Sequence, residues 1–329
     1  MVLLPNVKNQ RVGAKFRWCI FLTQLIMERD MGVISDIRYV GYAVKDLSSE
    51  QKFYQDVWKL DEVKEENDLV YFAAKGSAEL YQVRLRQSDE NSIDIVALKA
   101  DTRQDVDALF ERVKKFGSKI IFAPKNLETL GGGYGFRFFI PDGLPFEIST
   151  DVETKEIEIL ERWDAVPERI SHVVLHSPNH HDLVKYFVDV LGFKISDWLG
   201  DFMCFLRCNK WHHRLAVLPG PPCLDHVAYD MPTIDDMFRG IYRLKKNDTD
   251  VLWGPGRHTA GNNTFSYFQS PNGNVVEYTS ELEQVDENWQ PTTYKPSQLV
   301  MDQWSTGVGG PKTMPALHAD PALFKSAKV

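Results

Sequence analysis

The chain repeats itself. Ile37-Arg38-Tyr39-Val40 aligns with Ile170-Ser171-His172-Val173 at a shift of 133 residues, and that shift also lays Phe53-Tyr54 on Tyr186-Phe187 and Asp56-Val57 on Asp189-Val190. Asp94-Ile95-Val96-Ala97 meets Asp225-His226-Val227-Ala228 at 131, and Pro141-Asp142-Gly143 with Glu147 meets Pro271-Asn272-Gly273 with Glu277 at 130. A drift of a few residues is ordinary loop change. A repeat of this length demands two copies of one packing solution and excludes any fold without an internal period.

Each copy carries two helix signals behind short apolar strands. Ser48 with Gln51 suggests a capping box ahead of Phe53, Val57 and Leu60. Asp101 opens a second helix with Val106, Leu109, Phe110 and Val113 on one face and Gly117 as its stop; Asn179 and Thr233 open the counterparts. The runs Phe202 to Cys208 and His213 to Leu218, broken at Asn209-Lys210, read as antiparallel strands. The expected fold is therefore α+β, with four βαβββ modules paired into two similar domains whose curved sheets can enclose a cavity.

On this reading residues 1–34 are an extension, 35–152 and 168–282 are the two domains, and 283–329 form a polar tail that wraps the surface or a neighbouring subunit. In the extension, Lys8, Arg11, Lys15 and Arg17 precede the apolar run Trp18-Cys19-Ile20-Phe21-Leu22, which ends at Glu28-Arg29-Asp30, too soon to span a bilayer. Met31 is a candidate alternative start. With 46 acidic against 38 basic residues and a net charge of -8, no overall field draws the chain to nucleic acid or anionic lipid. Four scattered cysteines fit a reducing, cytoplasmic setting better than a disulfide framework.

The two copies differ in polar chemistry at matched positions. Tyr39 becomes His172 and Ile95 becomes His226, while Glu147 and Glu277 are shared, so only the second copy holds His, His and Glu. All three sit among apolar strand residues, where an isolated carboxylate costs several kcal/mol, about the penalty of an unpaired buried charge. Two neutral imidazoles and a carboxylate on three strands form the facial triad of non-haem Fe(II) oxygenases. Zn(II) accepts the same donors, which leaves a hydrolytic or isomerising centre open.

Other polar residues gather in the same half. His212 and His213 are adjacent on a strand-like segment, so one of them faces the cavity and His212 is expected on the surface. Gly256-Arg257-His258-Thr259 leads into Phe265-Ser266-Tyr267, ten residues before Glu277, and two imidazoles and a phenol near a metal can shuttle protons for a bound substrate. Cys204, Cys208, His212 and His213 could be grouped as a zinc cluster, but adjacent histidines lack the usual ligand separation.

Over residues 35 to 290 the chain resembles the type I extradiol ring-cleaving dioxygenases of the vicinal oxygen chelate superfamily. The resemblance rests on Ile170-Ser171-His172, His213-Arg214-Leu215-Ala216, Leu224-Asp225-His226-Val227-Ala228, Gly254-Pro255-Gly256-Arg257-His258, Tyr267, and Pro271-Asn272-Gly273 running into Val276-Glu277-Tyr278. It implies the glyoxalase/bleomycin-resistance/extradiol dioxygenase fold, with Fe(II), or Mn(II) in some relatives, on His172, His226 and Glu277. It further implies O2 as co-substrate, a small aromatic diol as substrate, and a homo-oligomer. His213 matches the acid/base histidine, Tyr267 a donor to a substrate oxygen, His258 a hydrogen-bonding histidine and Phe205 a pocket side chain. The sequence departs from some members at Ala260-Gly261, where they carry Asn-Asp, so any role of that acid is absent or replaced. A glyoxalase-like isomerase or thiol transferase, and a metal-free binding module of the same fold, are the competing readings.

Overall fold

The computed structural model describes residues 33–161 and 163–313; the basic-apolar stretch from Lys8 to Leu22 and the candidate start Met31 lie outside them. The chain builds four strand-helix-strand-strand-strand modules in sequence. The first is β1 (Ile34–Val44), α1 (Leu47–Lys52, continued by a π-helical turn Phe53–Trp58), β2 (Asp61–Glu66), β3 (Leu69–Ala73) and β4 (Val83–Gln87). The second is β5 (Ser92–Ala100), α2 (Arg103–Phe116), β6 (Ile120–Asn126), β7 (Tyr134–Phe139) and β8 (Pro145–Thr150). The second half repeats the plan with β9 (Arg169–Ser177), α3 (His180–Asp189), β10 (Lys194–Leu199), β11 (Met203–Arg207) and β12 (Leu215–Pro219), then β13 (Cys223–Asp230), α4 (Ile234–Lys246), β14 (Trp253–Arg257), β15 (Thr264–Gln269) and β16 (Val275–Ser280). The tail adds β17 (Thr292–Tyr294), α5 (Gln298–Met301) and β18 (Val308–Gly309).

The first sheet runs β2-β3-β4-β1-β5-β8-β7-β6 and the second β17-β10-β11-β12-β9-β13-β16-β15-β14-β18. In each, the opening strands of the two modules pair antiparallel at the centre, and each lies parallel to the last strand of its own module. This arrangement brings the first and last strands of a module side by side, which matters for the site. One continuous apolar core underlies both sheets. At the junction the Trp58 ring stacks on Tyr278 at 4.0 Å between centroids, and the buried Glu50 carboxylate accepts hydrogen bonds from the Asn272 backbone and side chain.

Two helix starts differ from expectation. Asp46, not Ser48, caps α1, because its carboxylate takes both the Ser49 N–H at 3.0 Å and the Ser49 hydroxyl at 2.6 Å, drawing Ser48 into the first turn. Thr102, not Asp101, caps α2, in a reciprocal box with Asp105. Thr233 caps α4 through the Asp236 N–H, while Asn179 holds the cap position of α3 without a side-chain bond. Among the described residues after 282, two short strands join the second sheet, β17 beside β10 and β18 beside β14. Among the described residues no helix is long and apolar enough to cross a membrane.

Candidate metal centre

Strand register assembles the centre. His172 on β9 lies beside Ala228 on β13, and Ala228 lies beside Glu277 on β16, so the three form a row across the sheet. Residues in such a row share a face, and His226, two positions before Ala228, shares it too. The small Ala228 side chain leaves the space between the larger ones open. One donor atom from each of His172, His226 and Glu277 lies within 4.8 Å of the others, and all three residues are buried. Among the described residues this is the only such grouping of His, Cys, Asp or Glu that could hold a metal.

The residues fit a cation. Glu277 Oε2 stands 3.2 Å from His172 Nε2 and 3.1 Å from His226 Nε2, yet His226 Nε2 and both Glu277 oxygens make no hydrogen bond. Three lone-pair atoms converge without a proton shared in good geometry, at a place where an unpaired carboxylate would cost several kcal/mol. Burial pushes the Glu277 carboxyl up, but the neighbouring imidazoles, His172 foremost, prevail and hold it at about 2. His226 Nδ1 is engaged by Asp225 Oδ1, and Asp225 Oδ2 lies 3.0 Å from His176 Nε2. A carboxylate on Nδ1 fixes the tautomer that leaves Nε2 free to bind a metal. With no ion present, burial lowers the proton affinity of His226, but its contacts with Asp225 and Glu277 win and raise it to about 9.

The remaining sequence-predicted residues surround this triad. His213 is buried with its ring centroid 4.4 Å from that of His172, and burial, followed by the charge of His172, pushes its pKa well below the ordinary histidine value. Phe205 flanks it at 5.1 Å between centroids. Tyr267 lies directly across from Glu277 in the β15–β16 pair. His258 places Nδ1 at 2.6 Å from the Met301 carbonyl and Nε2 at 3.1 Å from the Tyr267 hydroxyl. A carbonyl only accepts, so Nδ1 carries the proton and the Tyr267 O–H donates to Nε2. Burial lowers the pKa of His258 and raises that of Tyr267 far above the phenol value, so both are neutral.

His212 corrects the expectation of a surface side chain. It is fully buried behind His213, with Nδ1 3.0 Å from His213 Nδ1 and Nε2 2.8 Å from Asp197 Oδ2. The alternation argument fails because β12 begins only at Leu215, and the backbone at 212–213 is not a strand. Cys204, Cys208 and Cys223 are free thiols. Sequence reasoning also missed the tail. Val300, Met301 and Pro311 line a cavity of about 240 Å³ together with the triad histidines, His213, His258 and Tyr267. The run Leu299-Val300-Met301, apolar inside a polar segment, was the available signal.

Residues 36–148 and 169–278 match the family model of the Glyoxalase/Bleomycin resistance protein/Dioxygenase superfamily. The chain belongs to that superfamily. It is 25% identical over 289 residues, 81% of this chain and 91% of the relative, to a manganese-dependent 2,3-dihydroxybiphenyl 1,2-dioxygenase of Geobacillus genomosp. 3. The crystal structure of a Mn(II)-bound glyoxalase from Novosphingobium aromaticivorans, 60% identical, superposes with a TM-score of 0.87 over 89% of this chain and 97% of that one. Homoprotocatechuate 2,3-dioxygenase from Arthrobacter globiformis, 22% identical with a TM-score of 0.77 over 86% and 92% of the two chains, shares the fold. His172, His226 and Glu277 thus form an extradiol-type metal centre in the second half of a superfamily member, suited to Fe(II) or Mn(II).

Proposed function

We propose that the protein opens the ring of a catechol-type diol with O2, adding both oxygen atoms next to the diol. The observation that carries this reading is the position of His213, Tyr267 and His258 around one open flank of the triad, at the floor of a cavity whose remaining lining is apolar apart from the His176–Asp225 pair. Bound by His172, His226 and Glu277, Fe(II) or Mn(II) supplies Lewis acidity that favours the deprotonated diol, together with a redox-capable centre that brings ring and dioxygen together. His213, neutral at working pH, is the base that takes a diol proton and the acid that returns it as the ring opens, all four oxygens staying in the product. Tyr267 donates its hydroxyl to a substrate oxygen, and His258 accepts from Tyr267 or from the substrate while Met301 fixes its ring. Phe205 closes one wall against the aromatic ring.

The cavity walls also bear on the substrate. Val174, Leu199, Phe202, Leu218 and Met301 line it, and among the described residues no Lys or Arg does. An engineered cavity of about 150 Å³ holds benzene, so 240 Å³ accepts a ring with an apolar substituent. The preferred substrate is an alkyl- or aryl-substituted catechol, because the one cationic side chain on the wall, His176, is already paired with Asp225 at 3.0 Å and leaves no free cation for a substrate carboxylate. The reading extends to a cytoplasmic homo-oligomer, supported by the free thiols and by Phe238 and Tyr242, which expose apolar surface one turn apart on α4.

The name of the 60% identical relative favours glyoxalase-type isomerisation as a second reading. One experiment separates the two. Protein loaded anaerobically with Fe(II) or Mn(II) is mixed with a substituted catechol and then with ¹⁸O₂, or in parallel with the hemithioacetal of methylglyoxal and glutathione. Uptake of one O2 per diol, with both labelled atoms in a yellow product, supports ring cleavage. Thioester formation without oxygen uptake overturns it.

A further inference from the structure

We infer that Asp197 and His212 are positioning residues that fix the tautomer of His213 and present its Nε2 as a bare lone pair to the cavity. The inference deepens the role given to His213 above and rests on that reading for its catalytic consequence, though not for its structural content.

Asp197 is fully buried at the end of a short chain of contacts. Its Oδ1 accepts the Thr292 N–H at 2.6 Å, and its Oδ2 faces His212 Nε2 at 2.8 Å. A carboxylate accepts only, so His212 carries its proton on Nε2. The other nitrogen of a neutral His212 is then an acceptor. It stands 3.0 Å from His213 Nδ1, and two acceptors do not sit at that distance, so His213 donates from Nδ1. The proton of neutral His213 is thereby spoken for, and Nε2, which has no protein hydrogen-bond partner among the described residues, is left unprotonated beside the triad. The His213 tautomer distinguishes this order from the reverse one that a His212 protonated on both nitrogens would impose.

The surroundings lock the pair. Trp289 meets the His212 ring edge-on at 5.8 Å between centroids and anchors its own N–H on the Ser196 carbonyl at 2.9 Å. Phe205 lies 5.7 Å from His212 and 5.1 Å from His213. Gly261, with a φ of 79°, comes so close that a β-carbon there would stand 3.0 Å from His212 Nδ1 and 3.1 Å from His213 Cε1. A side chain at 261 would push the two imidazoles apart, so the glycine and the paired rings belong together. The tail supplies Thr292, which ties the cavity-closing segment to the same carboxylate.

The test is ¹⁵N NMR of histidine-labelled full-length protein loaded with diamagnetic Zn(II), with the His213 signals assigned by their loss in His213→Phe. The inference requires the Nδ1–H tautomer at His213 in the unaltered protein. Asp197→Asn keeps an acceptor for Thr292 but turns a donor toward His212, reversing both imidazoles and placing the proton on His213 Nε2. That variant should keep its metal content and its anaerobic affinity for the diol, while kcat falls about 100- to 10,000-fold, the range for losing a general base. An Nε2–H tautomer in the unaltered protein overturns the inference even if Asp197→Asn fails to fold. A correct tautomer with unchanged kcat in Asp197→Asn would instead count against the role of His213 in turnover.

Discussion

The two halves bury the same carboxylate and neutralise it differently. Glu147 and Glu277 hold equal places, each beside an alanine of the central strand and across from one residue of the neighbouring hairpin strand. In the first half that opposing residue is Arg137, whose Nε donates to Glu147 at 2.7 Å, while the Tyr39 hydroxyl and Ser149 donate at 3.3 and 3.0 Å. In the second half it is Tyr267, and both oxygens of Glu277 are left without a donor. The histidines have aromatic or aliphatic counterparts. Tyr39 stands for His172, Tyr81 for His213, Tyr71 for Phe205 and Ile95 for His226, and these residues pack as a small cluster where the second half has a cavity. The Tyr39–Tyr81 ring distance of 4.7 Å even parallels the 4.4 Å between His172 and His213. The fold offers the same recess twice, and side-chain chemistry decides whether it becomes a plug or a site.

Variants can break that contrast from either side. His226→Ala removes one of three donors, so the ion content of isolated protein should fall from about one per chain to near none and oxygen uptake to background; a fully loaded variant would remove His226 from the centre. His213→Phe should keep metal and diol while kcat drops about 100- to 10,000-fold, and unaltered turnover would exclude the proton role. Arg137→Met leaves the buried Glu147 charge with only two neutral donors and should destabilise the fold by about 3–5 kcal/mol without changing metal bound per folded chain. Adding Glu147→Leu should restore most of that loss. Equal denaturation midpoints for Arg137→Met and the parent would show that the Tyr39 and Ser149 hydroxyls alone suffice to hold the Glu147 carboxylate.

A smaller effect concerns pH. Burial opposes the protonation of His176, but its bond to Asp225 dominates and lifts its pKa to about 9, above the ordinary 6.5. A raised pKa stabilises the fold fully below about 6.5 and loses that contribution as pH climbs through 9. In metal-free protein the stability gap between parent and His176→Gln should therefore be widest near pH 6, at most about 3 kcal/mol, and close toward pH 10. Urea titrations at the two pH values check it, and a gap that widens with pH would contradict the pairing.

Much of this was legible in the sequence. The repeat gives four modules, and the mismatch of Tyr39 with His172 and Ile95 with His226 marks the half that binds metal, because register makes equivalent positions equivalent in space. What escaped depends on contacts between distant segments. His212 looks like a surface residue until Asp197, fifteen residues earlier on β10, is seen to reach it. Arg137 gave no signal because its meaning lies in the register opposite Glu147. The tail is polar by composition, yet three of its residues complete the cavity wall. The helix caps moved by one or two residues, since an acid or hydroxyl near a helix start competes with its neighbours for the same free N–H groups.

The most direct test of the contrast between the halves is the metal stoichiometry of three proteins measured together, the parent, Glu277→Gln and Glu147→Gln, each loaded with Mn(II) and freed of excess ion. The account requires one ion per chain in the parent, none in Glu277→Gln and one in Glu147→Gln. Two ions in the parent, or an ion retained by Glu277→Gln, would contradict it.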